Sequence, residues 1–301
     1  MNKLTKLEKY WILYDVGNSA FVLLVSTIIP IYFKNLASSA GISLSDSTAY
    51  YSYAISISTL IVALAGPTLG SIGDQKNLRK PIFTFFMLMG VLCLVAMAVP
   101  LGWIAFLVLF IIAKTGLSTS LVFYDSMLVD ITTSDRVDEV SSHGYAWGYI
   151  GSCIPFTISL LLILGANSIG LTTVQATAIA FIINALWWLL ATIPLLKNYR
   201  QVNYSTKKEP VLGNLKRVLT NIKNDKKVLF FLIAFFFYID GVYTIIEMAT
   251  SYGKDVGIND SSLLLALLMT QVVAFPFSLI FGKLAKKYSV KSLILTCITG
   301  Y

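Results

Sequence analysis

Residues 173–196 read TVQATAIAFIINALWWLLATIPLL, twenty-four residues without an Asp, Glu, Lys or Arg. A run of about 20 apolar residues is long enough to cross a bilayer as a helix. Seven more runs of this kind lie at roughly 11–33, 50–73, 82–100, 104–128, 145–165, 228–250 and 262–281, and a ninth begins near Val290. Lipid offers no partner to open backbone groups, and these runs are too long and too evenly apolar for barrel strands, so they are predicted to be helices. Whole-chain composition agrees: 56% of the 301 residues are hydrophobic, 13% are charged and mean hydropathy is +0.76. Soluble domains carry about a quarter charged residues. The fold class is therefore an all-α polytopic membrane protein. A disordered chain, a coiled coil and an ordinary soluble enzyme are excluded.

Net charge is +8, from 23 Lys and Arg against 15 Asp and Glu. Its placement argues against a nucleic-acid surface. Twenty of the basic residues fall before the first run or in alternate loops, nine of them within 197–227; only Lys34 and Lys254 fall on the other side, and Lys114 lies inside a run. The positive-inside rule then places the amino terminus in the cytoplasm. The first run carries Asp15 and Asn18 and exceeds the core of a cleavable signal, so it is expected to stay as a permanent helix. Cys93, Cys153 and Cys297 make no disulfide framework or zinc spacing, and His143 is the single histidine. Asp130, Asp135, Asp138 and Glu139 lack calcium-loop spacing, and no Walker loop occurs. No metal or other cofactor is expected.

The layout divides into an amino-terminal six-helix bundle over 1–196, a basic linker over 197–227 with Pro210, Gly213 and an amphipathic helix over Leu212–Ile222, and an incomplete carboxy-terminal bundle over 228–301. The linker's basic charge suggests affinity for anionic lipid headgroups. Because the ninth run covers only about half a span by Tyr301, the chain is expected to be carboxy-terminally truncated. A faint repeat relates Tyr14-Asp15-Val16-Gly17-Asn18 to Tyr238-Ile239-Asp240-Gly241-Val242-Tyr243. Two six-helix halves in parallel repeat are a layout of secondary transporters.

Three sets of residues carry candidate chemistry. The first is Gly70-Ser71-Ile72-Gly73-Asp74 followed by Arg79-Lys80, in the loop after the second run. Its glycines would let a helix approach, and Asp74 with Arg79 would form a gating latch. In the second half, Lys286 replaces the Asp. The second set is Gly144, Gly148 and Gly151, spaced i, i+4, i+7 on one helical face suited to close packing. The third is a set of polar stripes inside apolar runs: Asp15, Asn18, Ser19 and Ser26; Lys114, Ser118 and Asp125; Asp240, Tyr243, Thr244, Glu247 and Ser251. Ionisable groups in lipid cost about 2.5–3.5 kcal/mol or more, so they are expected to face a cavity and to handle substrate or protons. By rise per residue, Lys114 and Asp240 fall near mid-membrane, Asp15 and Asp125 in the cytoplasmic third and Glu247 toward the outer face. Asp240 and Lys114 are predicted to face each other as the substrate or proton site. Pro67, Pro155 and Pro276 are expected to interrupt their helices.

The Gly70–Lys80 loop resembles the signature loop of the major facilitator superfamily. Together with Trp11–Phe21, Phe123–Ser152 and Tyr238–Glu247, it is similar to the vacuole-effluxer-like, autophagy-related permeases of that superfamily. The resemblance implies a major facilitator fold of twelve helices, of which this chain supplies about 8.5, with the first, fourth and seventh helices lining a central cavity. It also implies secondary-active transport of a small solute, amino acids being the cargo of fungal members. The carboxylates inside the spans make protons the expected coupling ion, and the expected location is a bacterial plasma membrane. A transport-inactive scaffold is the alternative. No paired catalytic groups argue for an intramembrane enzyme.

Overall fold

A computed structural model describes residues 3–205, 211–285 and 287–300. The sequence features at Pro210, Lys286 and Tyr301 lie outside the described residues. Eleven α-helices form there: α1 (Lys6–Ser26), α2 (Ile28–Ser39), α3 (Leu44–Gly73), α4 (Arg79–Ala96), α5 (Trp103–Ile131), α6 (Val137–Leu164), α7 (Thr173–Asn198), α8 (Val211–Asn224), α9 (Lys226–Asp255), α10 (Asp260–Leu284) and α11 (Val290–Gly300). Eight segments are long and apolar enough to span a bilayer, with α1 and α2 counting as one. They follow the apolar runs closely. Large apolar side chains such as Leu64 and Phe237, each 72% exposed, cover their surfaces, as a lipid-facing protein requires.

Local chemistry sets the helix ends. The Ser43 hydroxyl caps α3 by accepting from the Asp46 N–H at 3.0 Å. Thr172 and Gln175 make a reciprocal capping box at the start of α7. Asp225 accepts from the N–H groups of Lys227 and Val228 to start α9. The basic linker contains the expected helix, α8, with Lys216, Arg217 and Lys223 exposed.

The expected prolines do not interrupt anything: Pro67, Pro155 and Pro276 lie inside continuous helices. Neighbouring turns hold the backbone on both sides of a missing N–H, which membrane helices tolerate. The break falls instead within the first span, at Thr27 (φ −128°, ψ −84°), three residues before Pro30. Pro30 has no N–H for the Ser26 carbonyl and its ring crowds that oxygen. The Thr250 hydroxyl of α9 donates to the Ser26 carbonyl instead. The Tyr51 hydroxyl of α3 donates to the Val25 carbonyl at 2.6 Å. Both donors are buried, so the carbonyls freed by the break are satisfied without water.

The chain separates into two compact units. One holds the chain up to Leu24, Ser126–Tyr199 and the chain from Leu264 onward; the other holds Val25–Asp125 and Arg200–Leu263. In the first, α6 packs along α7. In the second, α2, α3 and α9 pack together, and α8 lies against α3 and α9.

Candidate functional site

Lys114 of α5 and Glu247 of α9 form an ion pair in the second unit, Nζ to Oε1 at 2.5 Å, with side-chain exposures of 7% and 17%. This corrects the predicted pairing of Lys114 with Asp240. Asp240 lies seven residues earlier on α9, about 10 Å along the axis. It is exposed and has no ion-pair partner among the described residues. The rise per residue gives depth within one helix but not the register between two, so Glu247 proves level with Lys114. Tyr243 and Asp125 are exposed as well. An ammonium and a carboxylate held together in an apolar setting can bind each other or exchange that partner for a charged solute.

A second charged cluster lies eight residues further along α9, where it meets Lys34 and Asn35 of α2 and Thr48 of α3. Lys34 is wholly buried; its Nζ is 2.6 Å from Asp255 Oδ1 and donates to the Ser251 carbonyl at 2.9 Å. The Thr48 hydroxyl donates to Asp255 Oδ2 at 2.9 Å. Lys254 donates to Asn35 at 2.8 Å and pairs with Asp260 at 3.3 Å. Between the two charged sites, the Ser52 hydroxyl lies 3.8 Å from the Met248 sulfur.

The loop between α3 and α4 is held by more than its predicted latch. Arg79, 5% exposed, pairs with Asp74 at 3.0 Å. Gln201 accepts from the Arg79 N–H at 3.3 Å and donates to the Gly73 carbonyl at 3.0 Å, while the Ser205 N–H donates to the Asp74 carbonyl. Lys76 sits over the Tyr204 ring. Asn77 takes the left-handed conformation, φ 62°, that closes the turn. Gly73 is needed for close approach: a Cβ there would collide with the Phe123 ring. Gly70, expected to share that role, faces open space, because α5 comes closest only at the end of α3. Lys80 is half-buried. Nothing in the pattern around Gln201 marked it as a partner, since the contact spans 122 residues.

In the first unit, Gly144, Gly148 and Gly151 of α6 lie against α1. A Cβ at Gly144 would sit 2.9 Å from the Trp11 ring and 3.2 Å from Asp15 Oδ2. One at Gly148 would sit 2.7 Å from Ser19 Oγ, and one at Gly151 2.5 Å from Val16. Asp15 accepts from buried Asn18 at 3.2 Å, so Asp15 and Asn18 are brought together beside the glycines. A further group went unmarked in the sequence. Glu8, 1% exposed, pairs with Arg136 at 3.2 Å and accepts from the Thr132 hydroxyl at 2.7 Å. Its signal was the Thr5–Glu8 spacing of a capping box, realised here by Thr5 and Glu8 bonding reciprocally.

Residues 45–301 match the model of a family described as "Vacuole effluxer Atg22 like". The whole chain is 44% identical, over 311 aligned residues, to the "Uncharacterized MFS-type transporter YxiO" of Bacillus subtilis (strain 168), and spans 72% of that protein. Autophagy-related protein 22 of Coccidioides immitis (strain RS) is 24% identical over 309 residues, covering 78% of this chain and 51% of that protein. An uncharacterized protein of Aquifex aeolicus (strain VF5) is 30% identical over 145 residues, 47% of this chain and 35% of its own. The spanning helices and these relatives define a multi-pass integral membrane transporter of the major facilitator fold. More narrowly, the chain belongs to the Atg22-like vacuole effluxer family.

Proposed function

We propose that the protein is a secondary-active transporter of small polar solutes, amino acids first among them, working by alternating access and coupled to protons. Its amino terminus lies in the cytoplasm and its membrane is the bacterial plasma membrane. Residues 1–196 and 228 onward act as two bundles joined by the 197–227 linker. The observation that carries this reading is the Lys114–Glu247 pair inside apolar spans. A positive and a negative group on facing helices suit a solute carrying both charges. Asp240, without a cation at hand, is assigned the proton. Asp15, Asn18, Asp125 and Tyr243 are secondary candidates for handling substrate or protons, and the Asp74–Arg79 loop with Lys80 steadies one state. The basic excess follows topology and needs no nucleic-acid partner.

The test uses purified protein in proteoliposomes with an alkaline interior, supplied with radiolabelled leucine, lysine and glutamate. Uptake of at least one, lost when the pH gradient is collapsed, is expected. Asp240→Asn should abolish the pH dependence while leaving expression intact. Flux of none of the three overturns the amino-acid assignment, and an unchanged pH profile in Asp240→Asn removes Asp240 from the mechanism.

A further inference from the structure

The cluster around Lys34 and Asp255 has features that a merely stabilising contact does not need. Its bonds span 217 and 221 residues, so they tie α2 and α3 to α9 without help from chain connectivity. The topology leaves two basic residues on this side of the membrane, Lys34 and Lys254, and both are engaged in the cluster. Lys34 lies five residues before the last residue of α2, Ser39, and its side chain is 1% exposed. A lysine there could snorkel into solvent at little cost; instead its charge is buried against a carboxylate. Covering is also uneven along α9. Thr250, Ser251 and Gly253 are buried, whereas Phe230, Phe231, Phe236 and Phe237 at the opposite end are each more than 60% exposed.

We infer that Lys34 and Asp255, supported by Thr48, Asn35, Lys254 and Asp260, form an ion lock that shuts the outer end of the solute path and has to open once per transport cycle. The inference rests on the transport reading and its orientation. Desolvated charges suit this task. Together they hold the closed state, and once parted each regains hydration, so opening is met by water rather than by a void. Ser52, one turn below Thr48 and beside Met248, lies directly beneath the lock.

The test is cysteine labelling of the full chain in right-side-out vesicles with a membrane-impermeant maleimide, in a background where Cys93, Cys153 and Cys297 are alanine. Ser52→Cys reports the space under the lock, and Ala40→Cys, at an exposed tip, reports accessibility outside it. Asp255→Asn should raise the labelling rate of Ser52→Cys about tenfold, within the range that coupling energies between sites produce, with no change at Ala40→Cys. The charge swap Lys34→Asp with Asp255→Lys should bring the rate back toward that of the parent. If Asp255→Asn does not fold, Thr48→Val weakens the lock without stranding a buried charge and should give a smaller rise in the same direction. Labelling of Ser52→Cys that does not change, or that rises in step with Ala40→Cys, overturns the lock. Ala40→Cys that reacts only after permeabilisation overturns the orientation on which it rests. Labelling needs no solute, so absent flux of leucine, lysine and glutamate overturns the amino-acid assignment and leaves this result standing.

Discussion

α6 lies on α1 through three glycines, whereas α9 is joined to α2, α3 and α5 largely through charges and hydroxyls. In the first contact the approach is set by backbone shape. Each glycine is a place where even one methyl group would collide with Trp11, Ser19 or Val16. In the second the approach is set by Glu247, Thr250, Ser251, Lys254 and Asp255, each meeting a named polar partner. Close packing is tight and hard to remake once opened, because its gain comes from many short contacts at once. A charge pair can part into water and reform. The difference separates a seam built to stay closed from a contact able to cycle.

The comparison breaks first at Lys114 and Glu247. Glu247→Gln leaves a buried ammonium without its carboxylate, a loss of about 3–5 kcal/mol. Lys114→Met combined with Glu247→Leu should recover most of that stability, since apolar replacement of a buried pair is often neutral, yet it should abolish solute flux. Thermal unfolding in detergent and uptake in proteoliposomes measure the two effects. Recovery of both stability and flux would show the pair to be structural.

The seam responds differently. Gly148→Ala places a methyl group 2.7 Å from Ser19 Oγ, and should cost about 1–3 kcal/mol as overpacking. Ser19→Ala in the same chain should relieve part of the loss by removing the obstructing oxygen. A double-mutant cycle on the melting temperature reads this directly, and simple additivity would place the strain elsewhere.

These two regions were not equally legible in the sequence. The spans followed from apolar run length, and the glycine face followed from i, i+4, i+7 spacing, because both depend on one helix alone. The break at Thr27 was hidden, since hydropathy registers apolar surface and is blind to the carbonyls that Pro30 strands. The partner of Lys114 was misassigned for a related reason. Asp240 and Glu247 lie on the same stripe, and only packing between α5 and α9 fixes which carboxylate comes level with the lysine. Glycines at helix ends posed the same problem. Gly70 and Gly73 look alike in sequence, but Phe123 reaches only Gly73.

The α3–α4 loop stands between the two modes, and its response is the smallest. Asp74 is 55% exposed on its side chain, so its pairing with Arg79 contributes at most about 1 kcal/mol. Gln201 instead bonds two backbone groups, the Arg79 N–H and the Gly73 carbonyl. It thereby fastens the segment after α7 to the loop. Gln201→Ala should cost about 1 kcal/mol, since each neutral hydrogen bond adds roughly 0.5–1.5 kcal/mol and these lie partly in water. The sharper readout is local. With the tether gone, trypsin should cut after Arg200 faster than in the parent, while Asp74→Asn, which leaves both Gln201 bonds in place, should change that rate much less. Equal cleavage in all three proteins would mean that the segment is held by the helices around it, and that the loop's ion pair and glutamine are incidental to how the linker is anchored.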